Sequence, residues 1–145
     1  MHLALLALDI GPGDEVIVPT LTYIASVNAI AYVGAKPVFV DSNLNDWNIN
    51  TDKIEEKITN RTKALMAVHL YGASCNMENI NSICKKNKIF LIEDAAEGFG
   101  SMFNNEYAGS FGDISTFSFF GNKTITTGEG GMVTSKSEKL IKKVK

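Results

Sequence analysis

Residues 63–94 read KALMAVHLYGASCNMENINSICKKNKIFLIED. Residues 63–70 and 89–94 are almost continuous apolar runs, which are typical of strands buried on both faces. Residues 76–87 between them have the spacing of an amphipathic helix. Apolar strands separated by amphipathic helices form a mostly parallel sheet, so this stretch predicts a strand–helix–strand unit of such a sheet.

The same alternation continues on both sides of this unit. We predict further strands at 16–18, 36–41, 114–120 and 131–135, helices at 1–9, 22–33, 52–58 and in the tail after residue 135, and a loop over 104–112. Asn50 or Thr51 can cap the helix at 52–58. The fold class is therefore α/β, with a mostly parallel sheet flanked by helices. Ligands of such sheets bind beyond the carboxyl ends of the strands.

Composition excludes several classes of function. Apolar residues make up 45% and charged residues 21% of the chain, which is typical of a soluble globular protein. The net charge of -2 argues against a nucleic-acid partner, and no apolar stretch approaches the length of a membrane span. Two cysteines are too few for a disulfide framework, which indicates a reduced, cytoplasmic compartment.

Asp94 follows an apolar strand directly, where an unpaired carboxylate is costly to bury. It could cap a helix or form a hydrogen bond with a neighbouring loop, or it could hold a cationic ring nitrogen or a metal ion. A metal site is poorly supported because only His69 is available as a further ligand.

Lys123 lies within FSFFGNKTITTGEGGMV, residues 117–133, a polar loop rich in glycine between two apolar runs. It could be an ordinary surface lysine. It could also form a Schiff base with an aldehyde cofactor. A lysine and a strand-end acid at the same edge of an α/β sheet are what a pyridoxal phosphate (PLP) enzyme requires.

Four linked stretches, namely EVIVPTLTYIASVNAI, VHLYG, IEDAAEGFGS and FSFFGNKTITTGEGGMV, together resemble the DegT/DnrJ/EryC1/StrS sugar aminotransferases. The resemblance is strongest to the perosamine synthase branch and covers essentially the whole chain. It implies an aspartate-aminotransferase-like fold. It also implies a PLP enzyme that moves an amino group, from glutamate, to a nucleotide-linked 4-keto-6-deoxy sugar for polysaccharide or O-antigen synthesis.

The resemblance also implies roles for five residues. Lys123 would form the internal aldimine, Asp94 would pair with the pyridine nitrogen, and Glu97 would lie beside the phenolic oxygen. Ser118 would bind the phosphate and Tyr23 would stack on the ring. The competing interpretations are core packing for Tyr23 and a backbone-bonded strand hydroxyl for Ser118.

Three neighbouring residues are given lesser roles by the same pattern. We expect His69 and Tyr71 to support the site without taking part in the chemistry, and Glu129 to join the hydrogen bonding of its own loop. Dehydratases of the family carry histidine in place of the lysine, so Lys123 favours transamination.

The resemblance further implies that residues 1–145 are part of the large, cofactor-binding domain of a longer, homodimeric protein. A phosphate-binding turn would precede the first helix, and a small domain would follow the last one. The alternatives are a truncated remnant without activity and a sugar 3-aminotransferase of the same family. A dinucleotide-binding oxidoreductase is disfavoured because no glycine-rich fingerprint follows the first strand.

Overall fold

The computed structural model describes residues 1–144. Within them the chain forms, in order, α1 (His2–Ala7), β1 (Glu15–Pro19), α2 (Ile24–Tyr32), β2 (Lys36–Val40), β3 (Thr62–Val68), α3 (Met77–Asn87), β4 (Phe90–Asp94), β5 (Met102–Phe103), β6 (Glu106–Tyr107), β7 (Ile114–Ser118), β8 (Gly131–Thr134) and α4 (Glu138–Val144). Lys145, at the end of the predicted tail helix, lies outside the described residues.

The main sheet has six strands in the order β2-β1-β3-β4-β7-β8. Its first five strands pair in parallel, and β8 pairs antiparallel with β7 at the edge. The predicted mostly parallel sheet is therefore confirmed. After β2 at the edge, the chain crosses back to the other side of β1 and forms β3 there. The carboxyl ends of β1 and β3 therefore lie side by side, at the point where the strand order reverses. This is the kind of position where open α/β sheets bind ligands.

Two hydrophobic clusters cover the two faces of the sheet. Alternate strand residues such as Met66 and Ile92 pack on one face against α1 and α2. Their strand neighbours Leu65 and Leu91 pack on the other face against α3. This alternation follows from the two-residue period of a strand, and it explains why the central strands are apolar throughout.

The helix predicted over 52–58 is wrong. The segment contains two 3₁₀ turns, Thr51–Lys53 and Glu55–Lys57, with the fully buried Ile54 between them. The first turn is capped by Asn50, whose side chain accepts a 3.0 Å bond from the amide of Asp52. Anchoring Ile54 in the core leaves single turns on either side, and short pieces of helix commonly adopt 3₁₀ geometry.

The loop predicted over 104–112 is wrong in part, because it contains β6, which pairs antiparallel with β5. Asn104 and Asn105 connect these strands with φ of 48° and 64°. Two consecutive left-handed residues make a tight hairpin turn, and asparagine tolerates that conformation well. The adjacent asparagines were the sequence signal for this hairpin.

Among residues 1–144, none of the helices has both the length and the apolar character that crossing a bilayer requires.

Candidate active site

Strand β4 ends in two carboxylates that face opposite sides of the sheet. Asp94 faces α2, and only 4% of its surface is exposed. One of its oxygens accepts a 2.7 Å hydrogen bond from the Ser26 hydroxyl, and the other accepts a 3.1 Å bond from the amide of Ala96. The element after β4 is β5 and not a helix, so the helix-capping interpretation of Asp94 is wrong. The bond from Ala96 is a local turn bond, whereas the bond from Ser26 comes from a distant helix.

Ser26 was not anticipated from the sequence. It is buried on α2, and its hydroxyl lies 2.9 Å from that of Thr22, just ahead of the helix. The two hydroxyls and the Asp94 carboxylate form a short chain of hydrogen bonds. The sequence signal was weak, since a serine in an apolar helix does not by itself reveal its partner.

No lysine, arginine or histidine side chain within residues 1–144 forms a salt bridge with Asp94. Burial lowers the pKa of the Met1 amino group, and the negative charge of Asp94 acts in the opposite direction. The amino end of α1 is thus close enough to sense this carboxylate. A buried carboxylate that has hydrogen-bond donors but no cationic side chain is well suited to hold a protonated ring nitrogen.

Lys123 lies in the loop between β7 and β8, with its amide bonded to the carbonyl of Phe120. Its ammonium lies 3.7 Å from one carboxylate oxygen of Glu97, and its side chain is only 20% exposed. For comparison, the side chains of Lys36 and Lys86, each of which forms a salt bridge with a glutamate, are 69% and 68% exposed. The Lys123 side chain is therefore more enclosed than those of Lys36 and Lys86.

Glu97 bridges two loops at the carboxyl edge of the sheet. Its second carboxylate oxygen accepts a 2.8 Å bond from the amide of Tyr71, which follows β3. Glu97 thus joins the turn after β4 to Tyr71 on one side and to Lys123 on the other. Tyr71 contacts Glu97 through its backbone amide, and the supporting role expected for Tyr71 stays a prediction.

Tyr23 lies at the amino end of α2 and is 76% exposed, so the core-packing interpretation of this residue is wrong. The hydroxyl of Ser118, at the end of β7, accepts a long 3.4 Å bond from the amide of Phe120. That contact fits the backbone-bonded interpretation, although its length makes it weak. No hydrogen bond or salt bridge within residues 1–144 joins either residue to Lys123, Asp94 or Glu97.

Glu93, adjacent to Asp94, lies on the α3 face and is completely buried. Its carboxylate accepts hydrogen bonds of 2.6–3.1 Å from His69 Nε2, the Ser115 hydroxyl and the amides of Gly109, Phe111 and Gly112. Burial alone would raise the pKa of Glu93, but the bonds from His69 and the backbone amides outweigh it and lower the pKa.

His69 is also fully buried, and its Nδ1 accepts a 3.2 Å bond from the amide of Cys75. With Nδ1 as an acceptor, Nε2 carries the proton that is donated to Glu93. Two buried hydrogen bonds therefore hold the histidine behind β4, and its expected supporting role stays a prediction. Glu129 behaves as expected, because its carbonyl accepts a 2.7 Å bond from the Thr127 hydroxyl within its loop.

The geometry places the amine of Lys123 3.7 Å from the Glu97 carboxylate, and a second, buried carboxylate, Asp94, ends strand β4 at the same edge of the sheet. The amine of Lys123 can form an imine with a carbonyl compound. Glu97 can exchange a hydrogen bond or a proton with a group placed next to that amine. Asp94 can stabilise a cationic heterocycle at the carboxyl end of β4.

Comparison with known proteins gives a consistent result. Residues 1–145 match the model of the DegT/DnrJ/EryC1/StrS aminotransferase family. The chain is 64% identical over 140 residues to a GDP-perosamine synthase of Escherichia coli O157:H7, which covers 97% of this chain and 38% of that protein. It is 50% identical over 145 residues to a dTDP-3-amino-3,6-dideoxy-alpha-D-galactopyranose transaminase of Aneurinibacillus thermoaerophilus, covering 99% of this chain and 40% of that protein.

Among solved structures, NtdA of Bacillus subtilis with bound cofactor PMP superposes with a TM-score of 0.91 at 40% identity, covering 99% of this chain and 32% of that one. The chain thus spans about two fifths of the length of the curated relatives it matches. Since the family model matches every residue, the chain belongs to the DegT/DnrJ/EryC1/StrS aminotransferase family.

Proposed function

We propose that this chain is part of the large domain of a PLP-dependent sugar aminotransferase. The protein would transfer an amino group from an amino acid, glutamate, to a nucleotide-linked 4-keto-6-deoxy sugar. The observation that carries the proposal is the 3.7 Å pairing of Lys123 with Glu97 at the edge where Asp94 is buried without a cationic side-chain partner in residues 1–144. PLP, when bound, supplies an aldehyde carbon and an electron-accepting ring.

The residues present suit this cofactor. Asp94, held by Ser26 and Ala96, would keep the ring nitrogen protonated. Lys123 would provide the amine that links to the aldehyde and would later carry protons at the reacting carbon. The exposed ring of Tyr23 is available to cover one face of the cofactor.

Two further assignments complete the proposed site. Glu97 would lie beside the phenolic oxygen, where its contact with Lys123 orients the amine. The Ser118 hydroxyl, which accepts one long hydrogen bond, would rotate to donate to the phosphate. The remaining phosphate ligands would precede α1 and the small domain would follow α4 in a longer protein.

The substrate assignment follows the relatives. The similarity to the GDP-perosamine synthase favours amination at C4 of a GDP-linked sugar. The similarity to the dTDP-linked 3-amino sugar transaminase supports a 3-aminotransferase as the second candidate. In either case we propose a cytoplasmic homodimer that serves polysaccharide or O-antigen synthesis. A remnant without activity is the remaining alternative.

Reductive labelling tests the cofactor site directly. The purified chain is mixed with PLP and reduced with borohydride, and the modified lysines are mapped by mass spectrometry. We expect dominant labelling of Lys123, lost in Lys123→Ala and retained in Lys139→Ala, a matched control on the exposed surface of α4. Labelling spread evenly over the surface lysines would contradict the proposal and favour the remnant.

A second measurement separates the two substrate candidates. Protein that has not been treated with borohydride is incubated with PLP, glutamate and either the 4-keto or the 3-keto sugar nucleotide. Formation of the amino sugar is followed by mass spectrometry. Product from the 4-keto compound alone supports the perosamine-type assignment. Product from the 3-keto compound alone would support the second candidate instead.

A further inference from the structure

Two aromatic side chains stand exposed at the carboxyl edge of the sheet. Trp47 follows β2 and Tyr71 follows β3, and they are 53% and 71% exposed. Their ring centroids lie 6.0 Å apart with the planes at 78°, so the edge of one ring faces the other. We call Trp47 and Tyr71 the aromatic pair. Large exposed aromatic rings in contact with each other commonly mark a binding surface.

The backbone holds both residues in an unusual conformation. Trp47 has a φ of 61° and Tyr71 a φ of 52°, which lie in the left-handed region. This conformation is unfavourable for residues with bulky side chains, so the surrounding contacts must enforce it. Such strain is concentrated at functional sites in proteins.

Asn48 links the two loops that carry the aromatic pair. Its buried side chain donates to the carbonyl of Ala73 at 3.2 Å and accepts from the amide of Leu70 at 3.3 Å. These contacts fix the residue after Trp47 and the residues on both sides of Tyr71. The aromatic pair is thus presented on rigid loops, and a ligand would not need to order it.

The aromatic pair is connected to the candidate site through Glu97. One Glu97 oxygen binds the Tyr71 amide at 2.8 Å, and the other lies 3.7 Å from Lys123 Nζ. Lys123, Glu97 and Tyr71 follow β7, β4 and β3, which are neighbouring strands of the sheet. Trp47 follows β2, which lies beyond β1, and continues the row through its ring contact with Tyr71. A ligand whose reacting carbon lies at Lys123 and which extends along this edge would reach the aromatic pair with its far end.

We propose that the aromatic pair stacks against the nucleobase of the sugar nucleotide. This inference rests on the proposed function, because it places the reacting sugar carbon at Lys123. In such a substrate the sugar ring, the diphosphate and the ribose separate the base from the reacting carbon, so the base lies at the outer end. Every nucleobase has a flat π-face, and aromatic side chains bind that face irrespective of base identity.

Trp47 provides a direct probe of this contact because the chain has one tryptophan. The full chain is titrated with GDP, with dTDP and with methyl α-mannoside while Trp47 fluorescence is recorded. We expect saturable changes with at least one nucleotide and none with the mannoside. Tyr71→Asn, which tolerates the left-handed backbone, should weaken nucleotide binding about tenfold, since stacking on one ring contributes roughly that factor.

Two matched variants serve as controls. Tyr71→Phe keeps the ring and should bind nucleotide within about twofold of the unmodified chain. Tyr107→Ala removes another exposed tyrosine, on β6, and should leave binding unchanged. Circular dichroism of each variant verifies that the fold is retained.

The outcomes distinguish this inference from the proposed function. Unchanged nucleotide binding in folded Tyr71→Asn, or a fluorescence response to the mannoside without one to the nucleotides, would overturn the stacking proposal. If borohydride still labels Lys123 in that case, the proposed function stands. The opposite result is also possible: Lys123 is not labelled, but Trp47 fluorescence responds to nucleotide and Tyr71→Asn weakens nucleotide binding. In that case the base contact stands and the proposed chemistry fails.

Discussion

Replacing Glu93 by glutamine tests how the turn after β4 is held in place. Glutamine has nearly the same shape, but its amide nitrogen cannot accept a hydrogen bond. One Glu93 oxygen accepts from His69 Nε2 at 3.0 Å and from the Gly109 amide at 2.7 Å. The other accepts from the amides of Phe111 and Gly112 and from the Ser115 hydroxyl. Whichever way the new amide turns, at least two donors lose their acceptor.

The size of the effect follows from this count. An unsatisfied buried donor costs about 1–3 kcal/mol, so two of them should lower the free energy of unfolding by about 2–6 kcal/mol. His69 cannot relieve the loss by moving its proton to Nδ1, because Nδ1 already accepts from the Cys75 amide at 3.2 Å. A loss of this size is a large part of the stability of a typical domain, about 5–15 kcal/mol.

The measurement is urea unfolding at pH 7, followed by far-ultraviolet circular dichroism. Glu106→Gln, an exposed change on β6, is the matched control and should stay within about 0.5 kcal/mol of the unmodified chain. A loss below about 1 kcal/mol in Glu93→Gln would refute the reasoning, since it would mean that these donors do not depend on the carboxylate. Failure of Glu93→Gln to fold, with Glu106→Gln normal, would agree with the upper end of the range.

The same network sets a pH dependence with a definite sign. The pKa of Glu93 in the folded chain lies below its ordinary value of 4.5. Its contribution to stability is therefore fully present above pH 4.5 and is lost as the pH falls through the lower folded value. The stability difference between the unmodified chain and Glu93→Gln should accordingly narrow at acidic pH.

Two further predictions concern other parts of the sheet. Ser26→Ala removes the 2.7 Å hydrogen bond to Asp94 and should reduce PLP-dependent labelling of Lys123 without unfolding the chain. Labelling equal to that of the unmodified protein would show that Asp94 does not need this hydrogen bond. At the opposite edge, hydrogen bonds from Thr59 and Arg61 hold the pKa of Glu15 at about 2. Glu15→Gln should therefore lower the free energy of unfolding, measured in urea, by about 1–2 kcal/mol at pH 7 and by almost nothing near pH 2. The value at pH 7 is kept small because the cations that face Glu15 are exposed to solvent. An equal loss at both pH values would contradict this assignment.

Much of the fold was predictable from local pattern. The runs that became β3 and β4 are apolar throughout because each is covered on both faces, and the helix at 76–87 has a polar face because it lies on the surface. Prediction failed where tertiary packing decided the local geometry. Burial of Ile54 replaced an expected helix with two 3₁₀ turns, and the hairpin at Asn104 and Asn105 was missed although its turn residues were present.

By itself, the sequence determined the order of the six main-sheet strands and of α1 to α4, the edge where polar residues collect, and the candidates Lys123 and Asp94. These depend on periodicity and on position after a strand, which are local properties. Only the tertiary structure decided that Ser26, 68 residues away in sequence, donates to Asp94, and that Glu93 and Asp94 have different partners on opposite faces. Hydrogen bonds between distant segments leave no periodic trace in the sequence, because each partner alone is an ordinary polar residue.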